Sequence, residues 1–153
     1  MRIAIIRHGA AHYGQDLDHT RPLTEQGQEQ ASRLAQWLAN NGWQSAELVA
    51  SPFLRAQQTA QAIAEALPLT RQTQSLLQPD GQPNEVIDWL VLRQTDRILV
   101  SHLPLVGRLA SLLVDGQVYD QPWSPAECWV LEGDVAASGC MSVVDVWYPA
   151  LEE

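Results

Sequence analysis

The sequence predicts a layered α/β fold with a largely parallel sheet. Three observations predict it. Short apolar runs suited to buried strands alternate with longer segments of helical period. The runs Ile3-Ala4-Ile5-Ile6 and Ile98-Leu99-Val100 are continuous, as in strands covered on both faces. Capping, glycine and proline signals fall between these segments. No repeat, linker or low-complexity stretch interrupts them, so the 153 residues read as a single domain over 1–153.

Arg2 to Arg7 is the first strand. Its apolar run is closed by Arg7, His8 and Gly9, too early for the hydrophobic region of a signal peptide. A polar loop leads to Pro22. Thr24 caps a helix to about Asn40, with Ala31, Leu34, Ala35 and Leu38 on one face; Asn41-Gly42 ends it. Glu47 to Ala50 is the second strand. Ser51-Pro52 has the form of a helix start, serine as cap and proline at the first helical position, and Ala56, Thr59, Ala60, Ile63 and Leu67 give that helix its buried stripe. The segment 69–82 is irregular, with a turn at Pro79-Asp80-Gly81. A third helix spans Asn84 to Gln94 and a strand Arg97 to Ser101. A fourth helix runs through Leu105, Leu109, Leu112 and Leu113. Glu127 to Leu131 and Met141 to Tyr148 are strands joined by a loop.

Composition narrows the function. Hydrophobic residues make up 46% and charged residues 18%, a globular balance. The formal charge of −9 argues against nucleic acid and against anionic lipid surfaces as partners. No stretch has the apolar length of a membrane span. Cys128 and Cys140 do not make a disulfide framework and are read as buried thiols, which with the lack of an export signal places the protein in the cytoplasm. His12 lies four residues after His8, with His19 nearby, but the segment is a loop rather than a helix, so no metal site and no cofactor are assigned. The six tryptophans show no interleaved basic residues. They are assigned to packing, with Trp123 a candidate for the mouth of a site.

In open α/β sheets ligands bind outside the carboxyl ends of the strands. The first strand ends at Arg7-His8-Gly9, the second at Ser51 one turn before Arg55, and the third at Ser101-His102. Those residue types suit phosphoryl transfer, where charge spreads over three oxygens and catalysis is mostly positioning and electrostatics. Arginine offers forked donors to phosphate, a neutral imidazole is a competent nucleophile, and a protonated second imidazole adds a donor. Helices starting after Ser51 and His102 point free N–H groups at the anion, so no metal is required. Arg55 lies off its helix's apolar stripe near the helix start, the wrong end for a cation unless an anion is bound there. Arg21 is read evenly as an outer phosphate ligand or as the partner of Asp16 or Asp18, and Ser51 as a helix cap that also faces the phosphate.

Arg7-His8-Gly9, Arg21-Pro22-Leu23-Thr24 with Gly27 and Ala31, Ser51-Pro52-Phe53-Leu54-Arg55-Ala56 with Gln58-Thr59-Ala60, and Val100-Ser101-His102-Leu103-Pro104 follow one another in order. Together they resemble the histidine phosphatase superfamily, the phosphoglycerate-mutase-like enzymes, over residues 2 to about 110. The resemblance implies a three-layer α/β/α sandwich with a mostly parallel central sheet. It implies His8 as nucleophile, with Arg7, Arg55 and His102 catalytic and holding the phosphoryl oxygens, and Arg21 as an outer, phosphate-binding member of the pocket. The short chain and the Ser-His-Leu-Pro form at His102 are similar to the small phosphohistidine phosphatases of that superfamily. Their substrate is phosphohistidine on a protein, such as a phosphotransfer domain or a phosphotransferase carrier, with phosphate or vanadate as competing anions.

Two departures bear on substrate. Ala10 stands where superfamily members often carry an acid. The region 77–85 offers Asp80 and Glu85, without a motif that fixes either as a general acid. A phosphoramidate needs such an acid less than a phosphoester does. The readings are therefore, in order, a protein-phosphohistidine phosphatase, a small-molecule phosphomonoester phosphatase or mutase, and a noncatalytic phosphate-binding module.

Overall fold

The computed structural model describes residues 1–14 and 17–152. Among them, six strands form a sheet: β1 (Arg2–Arg7), β2 (Glu47–Ala50), β3 (Arg71–Thr73), β4 (Arg97–Ser101), β5 (Cys128–Glu132) and β6 (Ser142–Trp147), in the order β3-β2-β4-β1-β5-β6. The pairs β1–β4, β4–β2 and β2–β3 are parallel, whereas β5 is antiparallel to β1 and to β6. Helices α1 (Glu25–Asn40) and α2 (Leu54–Ala66) cover one face, and α3 (Pro83–Leu90) and α4 (Leu105–Asp115) the other. The fold is the expected three-layer α/β/α sandwich.

Strand alternation shares the core between the layers. Ala4 and Ile6 of β1 pack with Leu34, Leu38, Ala60 and Ile63. Ile3 and Ile5 pack with Val86, Leu90, Leu105 and Leu109. With both faces covered, every second residue cannot be polar, which is why the strand reads as a continuous apolar run.

Several boundaries differ from the sequence reading. The first helix starts as expected, Thr24 Oγ1 accepting from Gly27 N–H at 2.9 Å. The second starts two residues later than Ser51-Pro52 suggests. Phe53 is extended (ψ 140°) and serves as N-cap without a side-chain bond, so Ser51 is not the cap. The displaced turn lays the Phe53 ring 5.1 Å from His102 and 5.0 Å from the Arg55 guanidinium, measured from ring centres. The third helix ends at Leu90, not Gln94, because buried Arg97 reaches back, Nη1 donating to the last helical carbonyl, Leu90 O, at 2.9 Å and Nη2 to Arg93 O in the turn beyond it at 2.8 Å. The segment 69–82 contains β3, an exposed edge strand of three polar residues with no apolar pattern to announce it. Both cysteines are free thiols; Cys128 is buried as expected, but Cys140 is exposed on the β5–β6 connection. Among the described residues, no helix is long and apolar enough to cross a membrane.

Register brings the strand ends level. Arg7 pairs with Ser101 and Ala50 with Val100, so His8, Ser51 and His102 leave the sheet along one edge. The loop after His8 is drawn onto α1. A Cβ on Gly9 would sit 2.6 Å from Gly27 O, and one on Gly27 would sit 1.9 Å from Ala10 O, so neither position admits a side chain without moving backbone.

Candidate active site

His8 is pinned at both ends of its peptide frame. Its N–H donates to Ser101 O at 3.0 Å and its carbonyl accepts from Ala126 N–H at 3.1 Å. The next N–H, of Gly9, donates to Thr59 Oγ1 at 3.1 Å, and Thr59 in turn donates to Arg55 O at 2.9 Å. The ring is oriented too. Nδ1 lies 2.6 Å from Gly9 O, an acceptor, so Nδ1 carries the proton and Nε2 the lone pair. Arg55 Nε donates toward that lone pair at 3.3 Å. Burial pushes the His8 pKa down to about 4, helped by Arg55 and Arg7 and opposed by the Gly9 carbonyl. At neutral pH the ring is uncharged.

Arg55 is 5% exposed, and its end is held by Asp18. Nη1 donates to Asp18 O at 2.8 Å and Nη2 to Asp18 Oδ2 at 3.3 Å. The other carboxylate oxygen accepts from Arg21 Nη1 at 2.9 Å, while Arg21 Nε donates to His12 O at 2.6 Å. Asp18 thus joins the two arginines. Its hydrogen bond from Arg21, with the nearby charge of Arg55, holds its carboxyl below the usual range. Asp16, the other acid considered for Arg21, lies outside the described residues.

His102 lies behind His8, ring centroids 5.1 Å apart in an edge-on arrangement. Its Nε2 is 2.8 Å from Ser51 Oγ, and Ser51 Oγ accepts from Phe53 N–H at 3.2 Å. Desolvation, then the charges of His8 and Arg55, push its pKa down to about 2. A protonated second imidazole is therefore not present in the free site; the ring offers one N–H rather than two. Buried His102 Nδ1 and Arg7 Nε have no partner among the described residues. Such groups are rare in native interiors.

A cleft of about 370 Å³ opens over these residues, lined by Arg7, His8, Arg21, Tyr13, Gln26 and Pro125 among others. Arg55 and His102 do not line it; both are buried against His8. Helices α2 and α4 begin at this edge, and neither has a side-chain cap. Asp80 and Glu85 are exposed and do not line the cleft. A cavity of about 260 Å³ between α1 and α2, lined by Leu23, Gln58 and Glu65 among others, has no Arg, Lys or His side chain in its lining.

The structure thus gathers His8, Arg7, Arg55, His102, Arg21 and Ser51, with Ser51 bonded to His102. Trp123 enters differently from the sequence reading: its ring is buried, and its carbonyl accepts from Arg7 Nη1 at 2.7 Å. Asp18's hold on Arg55 and the Trp123 contact were missed, since they join positions 37 and 116 residues apart with no motif between them.

The family model of the histidine phosphatase superfamily (branch 1) matches residues 3–78. The phosphohistidine phosphatase SixA of Escherichia coli (strain K12) is 33% identical over 123 residues, covering 76% of this chain and 76% of that protein. The SixA homolog of Haemophilus influenzae is 32% identical over 126 residues, 74% and 77% of the two chains. Among solved structures, the protein histidine phosphatase SixA complexed with tungstate superposes with a TM-score of 0.90 at 27% identity over 100% of both chains. A mycobacterial glucosyl-3-phosphoglycerate phosphatase in complex with VO3 shares the fold at a TM-score of 0.74 and 18% identity, over 96% of this chain and 98% of that one.

Proposed function

This chain belongs to the histidine phosphatase superfamily and is a phosphatase with a histidine nucleophile, and from that premise we propose that its one domain, residues 1–153, is a cytoplasmic protein-phosphohistidine phosphatase acting through His8. The observation that carries the assignment is the His8 ring: Nδ1–H given to Gly9 O and a free-base Nε2 facing the cationic edge of Arg55.

The Nε2 lone pair attacks phosphorus in line. The P–N bond of the substrate breaks as its imidazole takes a proton from solvent, and a P–N bond to His8 forms. Water then attacks phosphorus, returning the electron pair to Nε2 and releasing phosphate. Arg55, gripped end-on by Asp18, keeps its Nε edge toward the developing charge. Arg7 and the single N–H of His102 serve the remaining oxygens, Ser51 acts through His102, and Arg21 stands at the outer wall. Asp18 is held ionised by its arginines and is unsuited to give a proton; Asp80 and Glu85 lie outside the cleft. A site without a placed acid favours a leaving group that departs readily, which an imidazole does and an alkoxide does not. The partner is a phosphotransfer domain or phosphotransferase carrier bearing phosphohistidine, with phosphate or vanadate competing for the same cations. The SixA relative in complex with tungstate, an anion of the same tetrahedral class, supports that competition.

The test sets a phosphohistidine protein beside alkyl and aryl phosphates. The protein substrate should be cleaved far faster than the alkyl ester, and an acid-labile phosphoenzyme should form and be absent in His8→Ala. Arg55→Ala should cost roughly 2–4 kcal/mol of transition-state stabilisation and Arg55→Lys should recover only part. Efficient alkyl phosphate hydrolysis that disappears on mutating Asp80 or Glu85 would favour a phosphomonoesterase. Binding of anions without a phosphoenzyme would leave a noncatalytic module.

A further inference from the structure

The aim of Arg7 is set through one peptide group. Arg7 Nη1 donates to Trp123 O. The N–H of that same peptide unit belongs to Ser124 and donates to Glu127 Oε1 at 2.9 Å. The unit is trans, and its planarity points C=O and N–H in opposite directions, so fixing one end fixes the other. Glu127 Oε2 accepts from Trp129 Nε1 at 2.6 Å, which ties the carboxylate to β5. The backbone of Glu127 closes the loop: its carbonyl accepts from Trp123 Nε1 at 2.9 Å and from Arg7 N–H at 3.2 Å, and its N–H donates to Ser124 O at 3.0 Å. The two indoles stack with centroids 4.4 Å apart. Between them Ala126 holds a left-handed backbone (φ 59°), unusual for a residue with a Cβ, while donating to the carbonyls of Arg7 and His8.

We infer that Glu127 is a positioning residue for the reaction: its carboxylate orients and polarises the Trp123–Ser124 peptide, whose carbonyl holds the Arg7 guanidinium in the site. An anion at the N–H end shifts electron density toward the carbonyl oxygen, and hydrogen bonds in such a chain reinforce one another. The carboxylate never meets substrate; its effect passes through Arg7. The inference rests on the reading of Arg7 as a phosphoryl ligand.

A double-mutant cycle in the full chain, run as single-turnover dephosphorylation of a phosphohistidine protein, tests it. Glu127→Ala should slow the reaction on the order of 10-fold, as supporting residues one layer out commonly do. Glu127→Gln, which keeps one acceptor oxygen but not the charge, should fall between. In an Arg7→Ala background, Glu127→Ala should cost almost nothing further, because the group it positions is gone. Equal fold losses in both backgrounds would overturn the inference and leave Glu127 a purely structural residue. Unchanged turnover in Arg7→Ala alone would instead sink the reading of Arg7. Near-UV circular dichroism of the stacked indoles reports whether the loop is intact. If Glu127→Ala does not fold, the same cycle with Glu127→Gln decides.

Discussion

A nucleophilic histidine has to keep a lone pair, and at His8 burial does this work. Desolvation lowers its pKa from 6.5 to about 4, and His102 is lowered further, to about 2. Between pH 6.5 and 4 the unfolded chain therefore takes up protons that the folded chain refuses. Unfolding free energy should rise with pH across that window, and the contribution of His8 should be lost entirely once pH falls through its folded value. Histidine ring NMR should show His8 neutral at pH 5.5, with Nδ1 protonated. A His8 ring titrating near 6.5 would contradict the burial argument. The residues of this site were legible in the sequence wherever a strand end carried them, because a short apolar run locates its own carboxyl terminus. What charge they bear was not. Residue type alone leaves the second histidine either protonated or neutral, and it is a neutral ring once burial and neighbouring cations are counted. Asp18 shows the same limit: its pairing with Arg21 was readable as a local loop contact, but its grip on Arg55 depends on the approach of α2 to the turn Asp18–Thr20.

At the scale of elements, sequence signals failed where a tertiary contact replaced a local cap. Nothing around Gln94 announces that α3 has already ended. The stop comes from Arg97, on the next strand, whose guanidinium takes two carbonyls and lies 3.7 Å from Glu47. The second helix started late for a similar reason, since Phe53 is spent on His102 and Arg55 rather than on the first turn. Arg97→Ala should remove two charge-assisted hydrogen bonds from a side chain that is 1% exposed, costing about 3 kcal/mol. Chemical denaturation should show that loss with phosphatase activity retained in the folded fraction, since Arg97 does not line the cleft. A loss below about 0.5 kcal/mol would mean that α3 ends for another reason. Strand β3 was invisible for the opposite cause: an edge strand of Arg71, Gln72 and Thr73 buries nothing, so it leaves no periodicity.

Over the whole molecule, a chain of net charge −9 gathers Arg7, Arg21 and Arg55 around one edge of its sheet. The parallel strands and their helices made that edge legible. The antiparallel turn of β5 was not, and it matters, because only a strand entering from that side delivers the loop 122–127 to Arg7. Running the other way, β5 and β6 meet at the opposite edge, where Gly133 N–H bonds Met1 O. Cys140 is exposed on that connection and Cys128 is sealed in the core. The six residues of β1 set the two edges roughly 20 Å apart. A maleimide should therefore add once, at Cys140, and leave turnover unchanged; two additions per chain, or loss of activity on labelling, would contradict this layout. Tethered to a bead or sensor surface through that one sulfur, every copy would stand the same way up, cleft outward, open to whatever flows past.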